Sequence, residues 1–175
     1  RIELPGDRKT LTLAEVEVFS DGRNGAGQGK ASQINVAHGA EARRAIDGNK
    51  SGTFGDGGQT HTNEATKNPW WEVDLGEEQP IDSVAIYNRT EGALGKRLDG
   101  FTLRVLDAAR NDLFKSEKNP APDTKAEFTL EGGGPAGIVR RAAMNALASV
   151  RGQETKSFQS LARFVRDDVD RTAAI

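Results

Sequence analysis

The sequence predicts a mainly β domain, an antiparallel β-sandwich, followed by a small α-helical hairpin. Three observations carry this. Short runs with a two-residue hydrophobic period recur through the first three-quarters of the chain. Gly, Pro, Asn and Asp, the residues that tight turns require, separate them. After Pro135 the hydrophobic period becomes that of a helix.

The runs follow in order. Ile2 and Leu4 alternate up to the turn Pro5-Gly6-Asp7, and Leu11, Leu13, Val16 and Val18 interleave with Glu15 and Glu17. Trp71, Val73 and Leu75 alternate with Glu72 and Asp74, so the adjacent Trp70 and Trp71 point to opposite faces, one inward and one outward. Ile81, Val84 and Ile86 form a fourth run, Phe101, Leu103 and Val105 a fifth, and Phe128 and Leu130 the last, ending at Gly132-Gly133-Gly134-Pro135. Residues 20–70 differ, with many glycines, few large apolar side chains and clusters of Asn, Asp, Ser and Thr. A loop-rich stretch of that length predicts a function or an ion that orders it.

The sandwich is assigned to residues 1–132 and the hairpin to 136–175. In the latter, Val139, Ala142, Ala143, Ala146 and Val150 form one stripe, and Phe158, Leu161, Ala162 and Val165 a second. The pair is similar to one unit of a HEAT-type array, and a plain helical linker accounts for it equally well. The chain starts on Arg1 with no basic-then-apolar leader and stops at Ala173-Ala174-Ile175 within a helical pattern, so a piece of a larger protein is expected.

Composition narrows the function classes. A net charge of −2 with both signs mixed gives no electrostatic reason to expect nucleic acid or anionic lipid as partner. The absence of cysteine removes disulfides and thiolate-held zinc. With two histidines and no Gly-x-Ser-x-Gly or phosphate-cradling loop, no catalytic constellation stands out, and the expectation is a protein that is not an enzyme.

Two groups of residues carry chemistry. Asp47-Gly48-Asn49 combines a short carboxylate, a turn glycine and an amide, which suits oxygen ligation of a hard cation and also suits an ordinary turn. Thr60-His61-Thr62, Asn88-Arg89-Thr90-Glu91 and Lys96-Arg97-Leu98-Asp99-Gly100-Phe101 supply a histidine and two arginines. Such donors grip hydroxyl and ring oxygens, with Glu91 holding the guanidinium groups. The plainer alternatives are an exposed loop histidine at His61 and ion pairs of Arg89 and Arg97 with Glu91 and Asp99. His38 has no partner at metal-ligand spacing and is expected to be exposed.

The order Ala45-Ile46-Asp47-Gly48-Asn49, His61-Thr62, Asn68-Pro69-Trp70-Trp71-Glu72-Val73-Asp74-Leu75-Gly76, Asn88-Arg89-Thr90-Glu91 and Lys96 to Phe101 resembles the fucose-binding (F-type) lectins of the discoidin-like superfold. The resemblance implies a jelly-roll, galactose-binding-domain-like sandwich that binds a glycan, fucose or a related sugar. It implies His61, Arg89, Glu91 and Arg97 as the carbohydrate-binding residues, with Leu94 or a Trp against the sugar's apolar face. It also implies a structural Ca2+ site held by Asp47, the carbonyl of Asn49, and Glu15 with the carbonyl of Ala14. Arg44 adds a further backbone oxygen and Thr60 a hydroxyl, although Gly58 is the strictly aligned position. Glu15 lies in Leu13-Ala14-Glu15-Val16-Glu17-Val18, a motif the family carries on its last strand, so the order here is permuted. The family's vicinal disulfide is replaced by Gly92-Ala93-Leu94. The implied setting is a larger secreted or periplasmic protein. The alternative is a structural or protein-docking module that kept fold and calcium but lost sugar binding.

Overall fold

The structure, a computed structural model, describes residues 1–130. These residues form one compact unit of two antiparallel sheets. The strands are β1 (Ile2–Glu3), β2 (Glu15–Ser20), β3 (Arg23–Asn24), β4 (Lys30–Gln33), β5 (Trp70–Asp74), β6 (Ser83–Tyr87), β7 (Phe101–Leu106), β8 (Asp112–Asn119) and β9 (Lys125–Thr129). One sheet runs β4-β5-β1-β7-β8 and the other β3-β2-β6-β9. The antiparallel sandwich is therefore as the sequence predicts. The helical hairpin expected over 136–175 lies outside the described residues.

The inward residues of the alternating runs make the core. Ile2, Leu4, Leu11, Leu13, Trp71 and Phe101 are all at most 1% exposed, each contributing roughly 1.5–3 kcal/mol of transfer free energy. Phe101 of one sheet meets Phe128 of the other edge to face, with ring centroids 6.0 Å apart. The amino-terminal segment fills the middle of both layers. β1 lies between β5 and β7, and β2 between β3 and β6. Glu15 is thereby carried to the centre of the four-stranded sheet, opposite Tyr87.

The strands the sequence did not predict are β3, β4 and β8, all at sheet edges. β4 reads Lys-Ala-Ser-Gln and β8 Asp-Leu-Phe-Lys-Ser-Glu-Lys-Asn. Edge strands carry charge that deters pairing with other chains, and this erases the apolar alternation that reveals an inner strand.

Leu11 and Leu13, predicted as strand, run alongside residues 60–62 without forming a regular ladder. The amides of Leu11 and Leu13 donate to the hydroxyls of Thr62 and Thr60, at 2.9 and 3.1 Å. The amides of Thr60 and Thr62 return bonds to the carbonyls of Leu13 and Leu11, at 2.9 and 3.0 Å. With its two neighbours tied to that segment, His61 is held from the other side. Its amide donates to the Ala40 carbonyl and its carbonyl accepts from the Ala37 amide. The backbone on both sides of His61 is fixed before any side-chain contact is counted.

Candidate functional site

The three basic residues predicted to share a site are linked through side-chain contacts. Arg89 follows β6 and is 8% exposed. Its Nε and Nη2 donate to Glu91 Oε2 at 2.8 and 2.6 Å, and its guanidinium carbon lies 5.1 Å from the centroid of the Phe54 ring. The Phe54 ring meets His61 edge-on at 5.9 Å, and His61 meets His38 at 5.0 Å. Arg97 Nη1 lies 3.2 Å from Glu64 Oε1, and His61 Nε2 lies 3.9 Å from the same oxygen. Arg97 is half-buried while Lys96 is exposed.

Loop chemistry sets this arrangement. The buried Asn88 side chain donates to the carbonyls of Gly95 and Pro122 and accepts from the Arg89 amide, closing the 89–95 loop. A Cβ on Gly95 would stand 2.5 Å from the Arg89 carbonyl oxygen, so only glycine permits that closure. The Glu91 carboxylate also accepts from the Phe54 amide at 2.9 Å. That backbone bond, and then Arg89, hold its pKa below the usual carboxylate range. Thr90 donates through its amide to the Gly52 carbonyl. The 50–56 loop and the 89–91 segment are thus joined at two points, and Phe54 is placed by them.

His61 is buried at 3% exposure, which overturns the alternative of an exposed loop histidine. Its Nδ1 lies 2.6 Å from the Thr62 carbonyl oxygen, so Nδ1 carries the proton and neutral Nε2 is an acceptor. Burial pushes its pKa down, favouring the neutral form. The expectation that His61 donates is therefore amended: in its neutral state Nε2 accepts a hydrogen bond.

Other expectations also change. Arg97 pairs with Glu64, not with Asp99, whose carboxylate accepts from the Ala121 amide. Trp71 is buried, its indole N–H donating to the Ala42 carbonyl, and Trp70 lies beneath the Arg1 guanidinium at 4.4 Å. The aromatic ring beside Arg89 is Phe54, not a tryptophan. Leu94 is half-buried within the short helical segment Gly92–Leu98. His38 is exposed as expected but borders His61. Sequence reasoning missed Phe54, Glu64 and the position of His38. None carries a spacing signal, because each reaches the cluster from a separate loop.

The second group surrounds Glu15. This side chain is 1% exposed. Its Oε1 accepts from the Gly48 amide at 3.1 Å, while its buried Oε2 has no hydrogen-bond partner among the described residues. Burial, followed by the nearby Asp47 and Glu17 charges, pushes its pKa up to about 7. Lys50, which opposes that shift, is ion-paired with Glu17 at 2.8 Å. A buried carboxylate next to a second acid, with one oxygen unsatisfied, is a place short of positive charge.

Asp47 and Asn49 form the facing turn. Asp47 Oδ1 accepts from the Asn49 amide at 2.9 Å, and the Asn49 side chain donates to the Asp56 carbonyl at 2.9 Å. Ser51 accepts through its hydroxyl from the Thr53 amide and bonds Asp56. A Cβ on Gly58 would stand 2.6 Å from the Asn49 carbonyl oxygen, so Gly58 packs directly on the turn. Arg44 lies in the short helical segment Ala42–Ile46 that runs into Asp47. The Thr60 hydroxyl accepts from the Leu13 amide, two residues from Glu15. Among the described residues no cluster of three or more His, Asp or Glu side chains is poised to hold a metal. A hard cation here would be held by the Glu15 and Asp47 carboxylates with backbone oxygens of Ala14, Arg44 and Asn49. That oxygen set has the chemistry calcium takes, and the orphaned Glu15 oxygen fits it.

A family model described as NedA-like, galactose-binding domain matches residues 44–140, and the chain belongs to that family. Fucolectin-6 of Anguilla japonica is 37% identical over 115 residues, covering 61% of this chain and 60% of that protein. The chain thus spans about 60% of the length of that curated relative. Among solved structures, a fucose binding module from Streptococcus pneumoniae is 32% identical with a TM-score of 0.58, covering 65% of this chain and 79% of its own. The lectin domain of lectinolysin complexed with Lewis B antigen is 32% identical with a TM-score of 0.60, covering 63% and 79%. Among the described residues no helix is long and apolar enough to cross a membrane.

Proposed function

We propose that this member of the NedA-like galactose-binding family is a non-catalytic glycan-binding module, its ligand fucose or a related sugar on a larger glycan. The observation that carries this reading is the Arg89 guanidinium, fixed by Glu91 and laid against Phe54 next to the buried His61. Arg89 and Arg97 donate to sugar hydroxyl and ring oxygens, and Nε2 of neutral His61 accepts from a hydroxyl. Phe54, with the edge of His38, offers the apolar wall for the C–H face of the ring. Leu94 is the residue available where the family has its disulfide. Relatives that are fucolectins, and neighbours that bind fucose or Lewis B antigen, support the ligand class.

Calcium is the proposed cofactor. It neutralises Glu15 and Asp47 and pins the 47–58 loop to β2, and through the Phe54–Glu91 bond it steadies the sugar wall. A glycan ligand of this kind fits a secreted or periplasmic setting, as one part of a larger protein. A single small sugar site binds weakly, so useful avidity requires several copies.

Calorimetric titration of the calcium-loaded chain with fucose, galactose and Lewis b oligosaccharide tests the reading. Saturable binding that Arg89→Ala removes supports it. Flat titrations with all three sugars, from a protein that melts cooperatively, would sink it in favour of a docking module.

A further inference from the structure

Guanidinium groups are strong anion receptors, because each offers several N–H donors together with a full positive charge. Both arginines of this site are already matched by an acid. Glu91 holds Arg89 through Nε and Nη2, and Glu64 holds Arg97 through Nη1. The two acids are not equivalent. Glu91 accepts from the Phe54 amide and so ties the 50–56 loop to its own segment. Among the described residues Glu64 meets only side chains. The Thr10 hydroxyl donates to its Oε2 at 2.9 Å, while Arg97 and His61 share its Oε1 at 3.2 and 3.9 Å.

The place of Glu64 is nevertheless fixed. The Asn63 amide donates to Asn35 Oδ1 at 2.7 Å, and the Thr66 hydroxyl donates to the Asn63 carbonyl at 2.9 Å. Between them Ala65 takes a left-handed conformation, φ 55°, which residues with a Cβ seldom adopt unless held there. The Thr10 hydroxyl, and then Arg97, hold the Glu64 pKa below the usual carboxylate range, so the group is charged. Side-chain exposure rises from 4% at His61 through 29% at Arg97 to 60% at Glu64, which puts this carboxylate at the mouth of the cluster.

Neutral Nε2 of His61 and Oε1 of Glu64 are both acceptors, and Arg97 beside them is a donor. A sugar hydroxyl suits that set, since it takes an N–H from Arg97 and gives its own proton to Nε2 or Oε1. A sulfate or an ionised carboxylate has no proton to give, and it meets two acceptors and a charge of its own sign. We infer that Glu64 is a specificity-determining residue that restricts the site to uncharged glycan ends and excludes sulfated or sialylated ones. The ligand class rests on the glycan reading above; the exclusion of anions at Arg97 does not.

Titrations of the calcium-loaded chain and of Glu64→Gln test this, because the amide still accepts from Thr10 but carries no charge. The first readout is the ratio of affinities for Lewis b oligosaccharide and for its galactose-sulfated form. The unaltered chain is expected to favour the neutral form by at least ~10-fold, and Glu64→Gln to narrow that preference at least ~5-fold. The second readout needs no sugar. Inorganic sulfate is expected to shift the His61 ring and Arg97 guanidinium NMR signals of Glu64→Gln saturably, and to do so at least ~10-fold more weakly in the unaltered chain. Saturable Lewis b binding with an unchanged preference overturns the role of Glu64 and leaves the glycan reading standing. Flat Lewis b titrations with sulfate shifts confined to Glu64→Gln overturn the glycan reading and keep Glu64 as the group that excludes anions. Equal sulfate shifts in the two forms overturn that exclusion.

Discussion

The two candidate regions of this domain share a loop but are built on opposite electrostatic terms. At one end of the 47–61 segment each basic side chain already has its carboxylate: Arg89 has Glu91, and Arg97 has Glu64. At the other end, the Glu15 carboxylate is buried beside Asp47 with an oxygen that has no hydrogen-bond partner among the described residues. The basic cluster is preorganised by the protein's own groups, so its donors are aimed before a ligand arrives. The acidic turn leaves Glu15 short of such partners among the described residues. The lesson is that Phe54, the proposed sugar wall, hangs on a loop whose other end is the proposed calcium turn, so the two regions should stand or fall unequally.

The largest expected effect separates them by removing the ion. Chelation is expected to lower the melting temperature by ~10 °C or more, with millimolar calcium restoring it, since an ion at about 1,000 times its dissociation constant contributes about 4 kcal/mol. Scanning calorimetry with and without chelator measures this, and Glu15→Ala should erase the difference. A melting curve indifferent to both chelator and Glu15 would show the acidic turn to be complete as it stands.

Arg89→Ala comes next and acts at the other end. It removes charged hydrogen bonds worth about 1.5–3 kcal/mol each, so sugar affinity should fall at least ~10-fold. The calcium-dependent rise in melting temperature should persist. If calcium stabilisation vanished with Arg89, the two regions would be one cooperative site.

A pH series of the calcium-free domain sharpens the contrast. The folded-state pKa of Glu15, about 7, lies above its ordinary value of 4.5. The fold therefore holds an extra proton between those values. Its stabilisation is complete below about 4.5 and is lost as pH rises through about 7, a change on the order of 2 kcal/mol. Denaturant melts at pH 5 and pH 8 should show this fall, Glu15→Gln should flatten it, and calcium should abolish it. His61, whose pKa is lowered, contributes with the opposite slope, so the Glu15→Gln difference is the quantity to read.

The smallest effect lies at the junction. Phe54→Ala removes the ring beneath Arg89 while leaving the backbone bond to Glu91, and should weaken sugar binding about 5- to 10-fold, as expected for loss of an aromatic contact of about 1 kcal/mol. Calcium affinity, measured by calorimetry on the same variant, should be unchanged.

Much of this was legible in the residues. The alternating runs around Ile2, Val16, Trp71, Val84 and Phe101 predicted the inner strands, because a strand with one buried face must alternate. The edge strands β4 and β8 were not legible, because the charged and polar side chains that keep an exposed edge from pairing with other chains remove that pattern. Arg89 and Glu91 were readable as a pair because they lie two residues apart on one segment. Phe54, His38 and Glu64 were not, since each joins the cluster from a different loop.

By itself, then, the sequence determined the sandwich, the two chemical groups and the family whose motifs they match, all of which depend on periodicity or short spacing. Only the tertiary structure decided which nitrogen of His61 carries the proton, which carboxylate Arg97 finds, and that Glu15 is buried with an oxygen unpartnered among the described residues. Those outcomes depend on which segments pack against one another at long range, and burial then sets protonation and pairing in ways that local spacing does not encode.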